Sequence, residues 1–211
     1  MDLATVDELL TTTRSVRRRL DLSRPVPRAV VEDCLTLALQ APTGGASEDW
    51  RWILIDDAAD RERIAELYRE GAPLLASSKA RARTAQSARA YADAEFLAAN
   101  LHRVPVLIFP CVRGRLRDGD TLRAASLFGS VLPAAWSLML ALRSRGLAAA
   151  WTTLHLNRER EVANYLGIPG DYLQTALIPV AYPIGGPSFR RARRRPAAEV
   201  SCWGRWSLRP G

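Results

Sequence analysis

The chain has 211 residues, a length that fits one domain able to bury a full core without staples. Its 48% apolar and 25% charged residues exclude a disordered chain, and its odd, scattered cysteines (Cys34, Cys111, Cys202) disfavour a disulfide framework or a zinc site and fit a reducing cytoplasm. The net charge of +8 is concentrated, because Arg14, Arg17, Arg18 and Arg19 in one segment and Arg190, Arg191, Arg193, Arg194 and Arg195 in another hold nine positive charges, one more than the whole excess.

Residues 5–13 predict a short helix with Val6, Leu9 and Leu10 on one face, and the first arginine cluster follows its end. Ser23 to Pro27 reads as a turn into a second helix, where Val30, Val31, Cys34, Leu35 and Ala38 keep helical spacing. That helix stops before Pro42-Thr43-Gly44-Gly45. Residues 50–55 read as a strand and 60–70 as a helix. The alanine-rich stretch 73–101 predicts one or two partly buried helices, and 104–109 a second strand. After a polar loop at 113–120, residues 123–145 form the most apolar long helix, with Pro133 implying a kink or a late start. Residues 147–153 read as a third strand, 158–166 as a helix, 173–182 as a fourth strand, and a basic, mostly extended tail runs to Gly211. No stretch is expected to meet the roughly 18 uncharged apolar residues of a membrane span. Asp2, Asp7 and Glu8 ahead of any basic cluster argue against a secretory signal. The expected class is α/β (α+β), a single domain over 1–211 whose short apolar strands are covered by helices on both faces.

The commonest chemical signatures are missing: there is no GxGxxG or GxxxxGK[ST] nucleotide cradle, no GxSxG and no HExxH. His102 and His155, the only histidines, read as structural. Such a chain can still work through a bound cofactor, with the protein supplying position and field. Arg14 and Arg17, three apart around Ser15, present guanidinium forks and a hydroxyl suited to a phosphate monoester, although a basic helix end suits the dipole equally. Gly44 and Gly45 allow close backbone approach to a flat ligand. The small-residue stretch Gly146 to Thr153 opens from a strand into a loop. Nucleic acid is a poor match for the charge, because the arginines form two clusters and the aromatic residues are not interleaved with them.

Taken in order, the segments TRSVR, APTGGASEDWRWILI, LRSRGLAAAWTT, LGIPGDY, LIPVAYPIGGP and RRRPAAEVSCWGRW resemble the FMN-dependent nitroreductase-like family over nearly the whole chain. The resemblance implies a central mixed sheet flanked by helices. It also implies an intertwined homodimer with flavin sites at the subunit interface, the 123–145 helix as its core and the tail 185–211 wrapping the partner. FMN would be the cofactor and NADH or NADPH the reductant. The acceptor would be a small organic molecule: a nitroaromatic, a quinone or a pathway intermediate. By the same resemblance Arg14, Ser15 and Arg17, with Arg18 nearby, hold the phosphate and ribityl chain. Thr43, Gly44 and Gly45 lie beside the flavin, Thr152 and Thr153 line its ring, and Arg193 and Arg195 return to the phosphate. No side chain is assigned as catalytic and no metal is expected. The chain departs from the pattern at Ala46, where the family carries asparagine, at Glu48-Asp49, and at Trp136-Ser137. These departures keep two alternatives open, a flavin-binding protein without turnover and a flavin-dependent dehydrogenase of a specialised biosynthetic pathway.

Overall fold

The computed structural model describes residues 2–186 and 188–206. At its centre is strand β2 (Val106–Arg113), flanked by β1 (Trp50–Ile55) on one side and by β5 (Ile178–Ala181) and β4 (Tyr172–Gln174) on the other. The short β3 (Ala148–Ala149) pairs with β5 at the far edge. Every pairing among the described residues is antiparallel, so the sheet of one chain is not the mixed sheet expected above.

Residues of β2 are buried from Val106 to Val112, and their alternation sorts the core into two layers. Leu107, Phe109 and Cys111 face Ile64, Leu67 and Tyr68 of α3 (Ala58–Arg69) and Leu97 of α5 (Ala85–Asn100). Val106 and Ile108 face Val31, Cys34 and Ala38 of α2 (Arg28–Ala38) and Leu138, Met139 and Leu142 of α6 (Thr121–Ser144). Helices therefore cover both faces, as the apolar strands require. The remaining helices are α1 (Leu3–Thr12), α4 (Ala72–Ala80) and α7 (Glu159–Leu166).

Three expectations are corrected. The fourth strand is two strands, because the register on β2 slips by one residue between Gln174, opposite Cys111, and Ile178, opposite Ile108, beside Pro110, which has no N–H to give the ladder. Helix α6 runs unbroken through Pro133: Val131, Ala134, Ala135 and Leu138 are all buried, and this packing outweighs the proline's local penalty. The same helix, with mean hydropathy 1.7 over its most apolar stretch, is long and apolar enough to cross a membrane by length and composition, against the expectation that no stretch is. In the fold its apolar face packs on the sheet.

Helix α3 begins at Asp57, whose carboxylate accepts from the N–H groups of Ala59 (2.8 Å) and Asp60 (3.1 Å). These are two of the donors a helix leaves unpaired at its start. Asp57→Ala is expected to lower stability by about 1 kcal/mol, read as a lower urea midpoint with an unchanged denaturant slope.

Candidate active site

The segment after α1 is pinned alongside the end of β3. The Val16 N–H donates to the Ala149 carbonyl (2.8 Å), and Ser15 Oγ accepts from the Trp151 N–H (2.9 Å). This fixes Arg14 and Arg17 next to the strand end. Arg14 Nε and Nη2 and Arg17 Nε are buried without a hydrogen-bond partner among the described residues. Buried guanidinium N–H groups left unpaired are costly, so the pair is arranged for an acceptor from outside the chain.

Arg17 opens onto a cleft of about 730 Å³. Trp151, Thr152, Thr153, Leu154, Leu156 and Asn157 form its floor, and Leu74 and Leu75 of α4 with Ser87, Ala90, Tyr91 and Ala94 of α5 form its wall. Thr152 is held tightly: its N–H donates to the Leu177 carbonyl (3.1 Å) and its carbonyl accepts from the Leu177 N–H (2.8 Å). Its hydroxyl lies 2.5 Å from the Tyr68 hydroxyl. Tyr68 is only 1% exposed, and burial raises its phenol above the ordinary value against the opposing effects of the Thr152 hydrogen bond and the Arg17 charge.

The expected site residues do not all meet here. Arg17, Thr152 and Thr153 line the cleft, Ser15 adjoins it through its bond to Trp151, and Arg14 is buried next to Ser15 in sequence without lining the cleft. Arg18 instead pairs with Asp93 of α5 (2.5 Å) and lies over the Phe96 ring. Thr43, Gly44 and Gly45 sit in a loop against α6, where the Gly44 N–H donates to Ser130 Oγ (3.0 Å). Gly44 lines a separate pocket of about 320 Å³ with Asp49, Arg123, Ser126 and Ser130, and the two pockets share no residue. Gly45 (φ 63°) and Ala46 (φ 54°) are both left-handed. That conformation suits glycine or asparagine, so Ala46 keeps the backbone shape without the side chain that favours it.

Arg193 and Arg195 are exposed in an irregular tail whose only regular element among the described residues is a turn of 3-10 helix at Ala197–Glu199. The tail's base is anchored instead: Arg19 donates to the carbonyls of Ile184, Gly186 and Ser188 and stacks over Phe189. Trp203 is 100% and Trp206 88% exposed. Residues 207–211 of the expected wrapping tail lie outside the described residues.

Sequence reasoning missed Tyr68, Leu74, Leu75, Tyr91 and Asn157. Tyr68 carries no motif and reads as one more apolar position on α3; only its buried hydroxyl marks it. No group of three or more His, Cys, Asp or Glu side chains able to hold a metal occurs among the described residues.

The family model described as the nitroreductase family matches residues 10–182. Iodotyrosine deiodinase 1 from Rattus norvegicus is 28% identical over 200 residues, which cover 92% of this chain but 67% of that protein. An NADH dehydrogenase from Thermus thermophilus is 30% identical over 198 residues, covering 84% of this chain and 87% of that one. The structure of the FMN-dependent nitroreductase NfnB from Mycobacterium smegmatis, in complex with NADPH, matches with a TM-score of 0.69 at 19% identity over 97% of this chain and 100% of that one. A BluB-like flavoprotein from Clostridium difficile matches at 0.71 and 17% identity over 97% and 100%.

Proposed function

Because the chain belongs to the nitroreductase family, we propose that it is an FMN-dependent oxidoreductase that takes reducing equivalents from NADH or NADPH and delivers them to a small organic acceptor. The observation that carries this reading is the unpartnered, buried guanidinium edge of Arg14 and Arg17 beside a large open cleft. A phosphate dianion is the natural complement of two converging forks. The donor set therefore fits FMN, whose isoalloxazine, when bound, accepts and passes on hydride. The chain's own residues hold and enclose it. Arg14 and Arg17 neutralise the phosphate. Ser15, bonded to Trp151, sets the loop that carries them. Leu74, Leu75, Leu154 and Leu156 exclude water from the reacting face. Arg17 is the cleft's one charged lining residue, and the outer wall is leucine and alanine with Ser87 and Tyr91. That wall suits a neutral, flat acceptor better than a charged one.

A second copy of the chain would complete the site. The Thr43–Ala46 loop and Arg193 and Arg195 stand apart from the cleft of their own chain. Strand β1 is an open sheet edge, and the tail carries exposed Trp203 and Trp206. An uncovered edge and an exposed aromatic tail both favour exchange between two subunits.

The experiment is the visible spectrum of the purified protein, followed by anaerobic addition of NADH or NADPH. A flavin band that bleaches on addition is expected, with recovery when a quinone or nitroaromatic is supplied. A band that no nicotinamide bleaches would favour flavin binding without turnover, the alternative suggested by Ala46 and Glu48-Asp49. Absence of the band, even after FMN is added, would refute the proposal.

A further inference from the structure

Tyr68 and Thr152 form a two-hydroxyl relay at the edge of the cleft. The Tyr68 ring is packed in the core between α3 and the sheet, and its hydroxyl has one partner among the described residues, Thr152 Oγ1 at 2.5 Å. Either oxygen can in principle donate. If Thr152 donated, the Tyr68 hydrogen would be left in the core with no acceptor, which costs the desolvation of a buried donor. The phenol therefore donates. Burial also keeps it protonated, because its pKa is raised.

The consequence falls on Thr152. Its backbone N–H is committed to Leu177, so its hydroxyl is the one group of Thr152 left to donate to a ligand. That oxygen accepts from Tyr68, and its own hydrogen has no other acceptor among the described residues than what occupies the cleft it lines. We infer that Tyr68 is a positioning residue: by donating to Thr152 Oγ1 it makes the Thr152 hydroxyl a fixed hydrogen-bond donor to an acceptor atom of the bound cofactor. The inference rests on the FMN reading above, and it assigns Tyr68 a role that its place in the core does not suggest. Without the phenol, the threonine hydroxyl is free to rotate and to present a lone pair instead.

The test is a double-mutant cycle on FMN affinity, measured by quenching of FMN fluorescence as the apoprotein is titrated, with the reduction potential of the bound flavin as a second readout. Tyr68→Phe keeps the ring and removes the hydroxyl; about fivefold to tenfold weaker FMN binding is expected, the size of one hydrogen bond. Thr152→Val should weaken binding similarly, and Tyr68→Phe in that background should add nothing. Thr152→Ser, which keeps the hydroxyl, should restore affinity and potential toward the parent values. If the parent protein binds no FMN, the cofactor reading and this inference fall together. If the parent binds FMN and Tyr68→Phe leaves affinity and potential unchanged, or weakens binding equally with and without the Thr152 hydroxyl, the inference alone is overturned.

Discussion

Alanine in place of Arg14 or Arg17 is expected to weaken FMN binding by roughly 10- to 100-fold each, the loss of a charge-assisted hydrogen bond to phosphate. The same change should leave the FMN-free protein as stable as the parent, or more so. The two signs differ for one reason: Arg14 Nε and Nη2 and Arg17 Nε are buried without partners among the described residues, so the free protein bears a cost that an anion relieves. An arginine placed for structure would behave in reverse, with a lower unfolding temperature in the free protein and unchanged cofactor affinity. Thermal unfolding with and without FMN, alongside a fluorescence titration, separates the two. Lysine at either position is expected to recover only part of the affinity, since a point charge lacks the planar fork. Riboflavin, which has no phosphate, should bind parent and variants alike, and this control ties the effect to the dianion.

How much of this was legible beforehand depended on whether a feature is local. The unbroken apolar run of β2 and the amphipathic face of α2 follow from nearest-neighbour chemistry, and they appear where the patterns put them. The Arg14–Ser15–Arg17 segment stands out by the same local logic, because its residue types answer one ligand chemistry, and the FMN titration above is its test. Features set by distant partners were not legible. Pro110, which lacks an N–H, faces Trp52 in the ladder with β1, and next to it the register on the other side of β2 slips by one residue, so one apolar run became two strands. Pro133 is tolerated because its helix is held by the sheet beneath it. The Thr43–Gly45 loop lines a pocket that shares no residue with the cleft of Arg17, and Arg193 and Arg195 are exposed in the tail, an arrangement that no local pattern encodes. Tyr68 was hidden for the same reason: its single polar atom acquires meaning only from Thr152, far away in sequence.

His155 gives the protein a stability that falls in mild acid, before most carboxylates titrate. Its ring is wholly buried, edge-on to Phe109 with centroids 5.3 Å apart, and neither ring nitrogen has a hydrogen-bond partner among the described residues. The imidazole was expected to be structural, and it is, but as a neutral apolar filler. Burial alone drives its pKa down to about 3 from an ordinary 6.5. A histidine that resists protonation in the fold accepts a proton readily once unfolded, so the unfolded state gains protons first as the pH falls. The stabilising preference for the neutral ring is complete above about pH 6.5, erodes by about 1.4 kcal/mol per pH unit below it, and stops eroding near the folded value. Between pH 7 and pH 5 the expected loss is about 2 kcal/mol. Asp2, Asp21, Asp56 and Glu62 are all held below their ordinary values, so their contributions erode at lower pH and leave this window to the histidine. Urea midpoints at the two pH values measure the loss, and His155→Leu should flatten the difference while lowering stability at pH 7 only modestly, there being no hydrogen bond to lose. A pH dependence that survives unchanged in the variant would assign it to other groups. His155 also sits in the 3-10 turn Leu154–Arg158, whose Leu154, Leu156 and Asn157 line the cleft. Because the folded ring stays neutral over this range, the pH profile of FMN affinity, set in part by the second ionisation of the phosphate at about pH 6, should be the same in the parent and in His155→Leu.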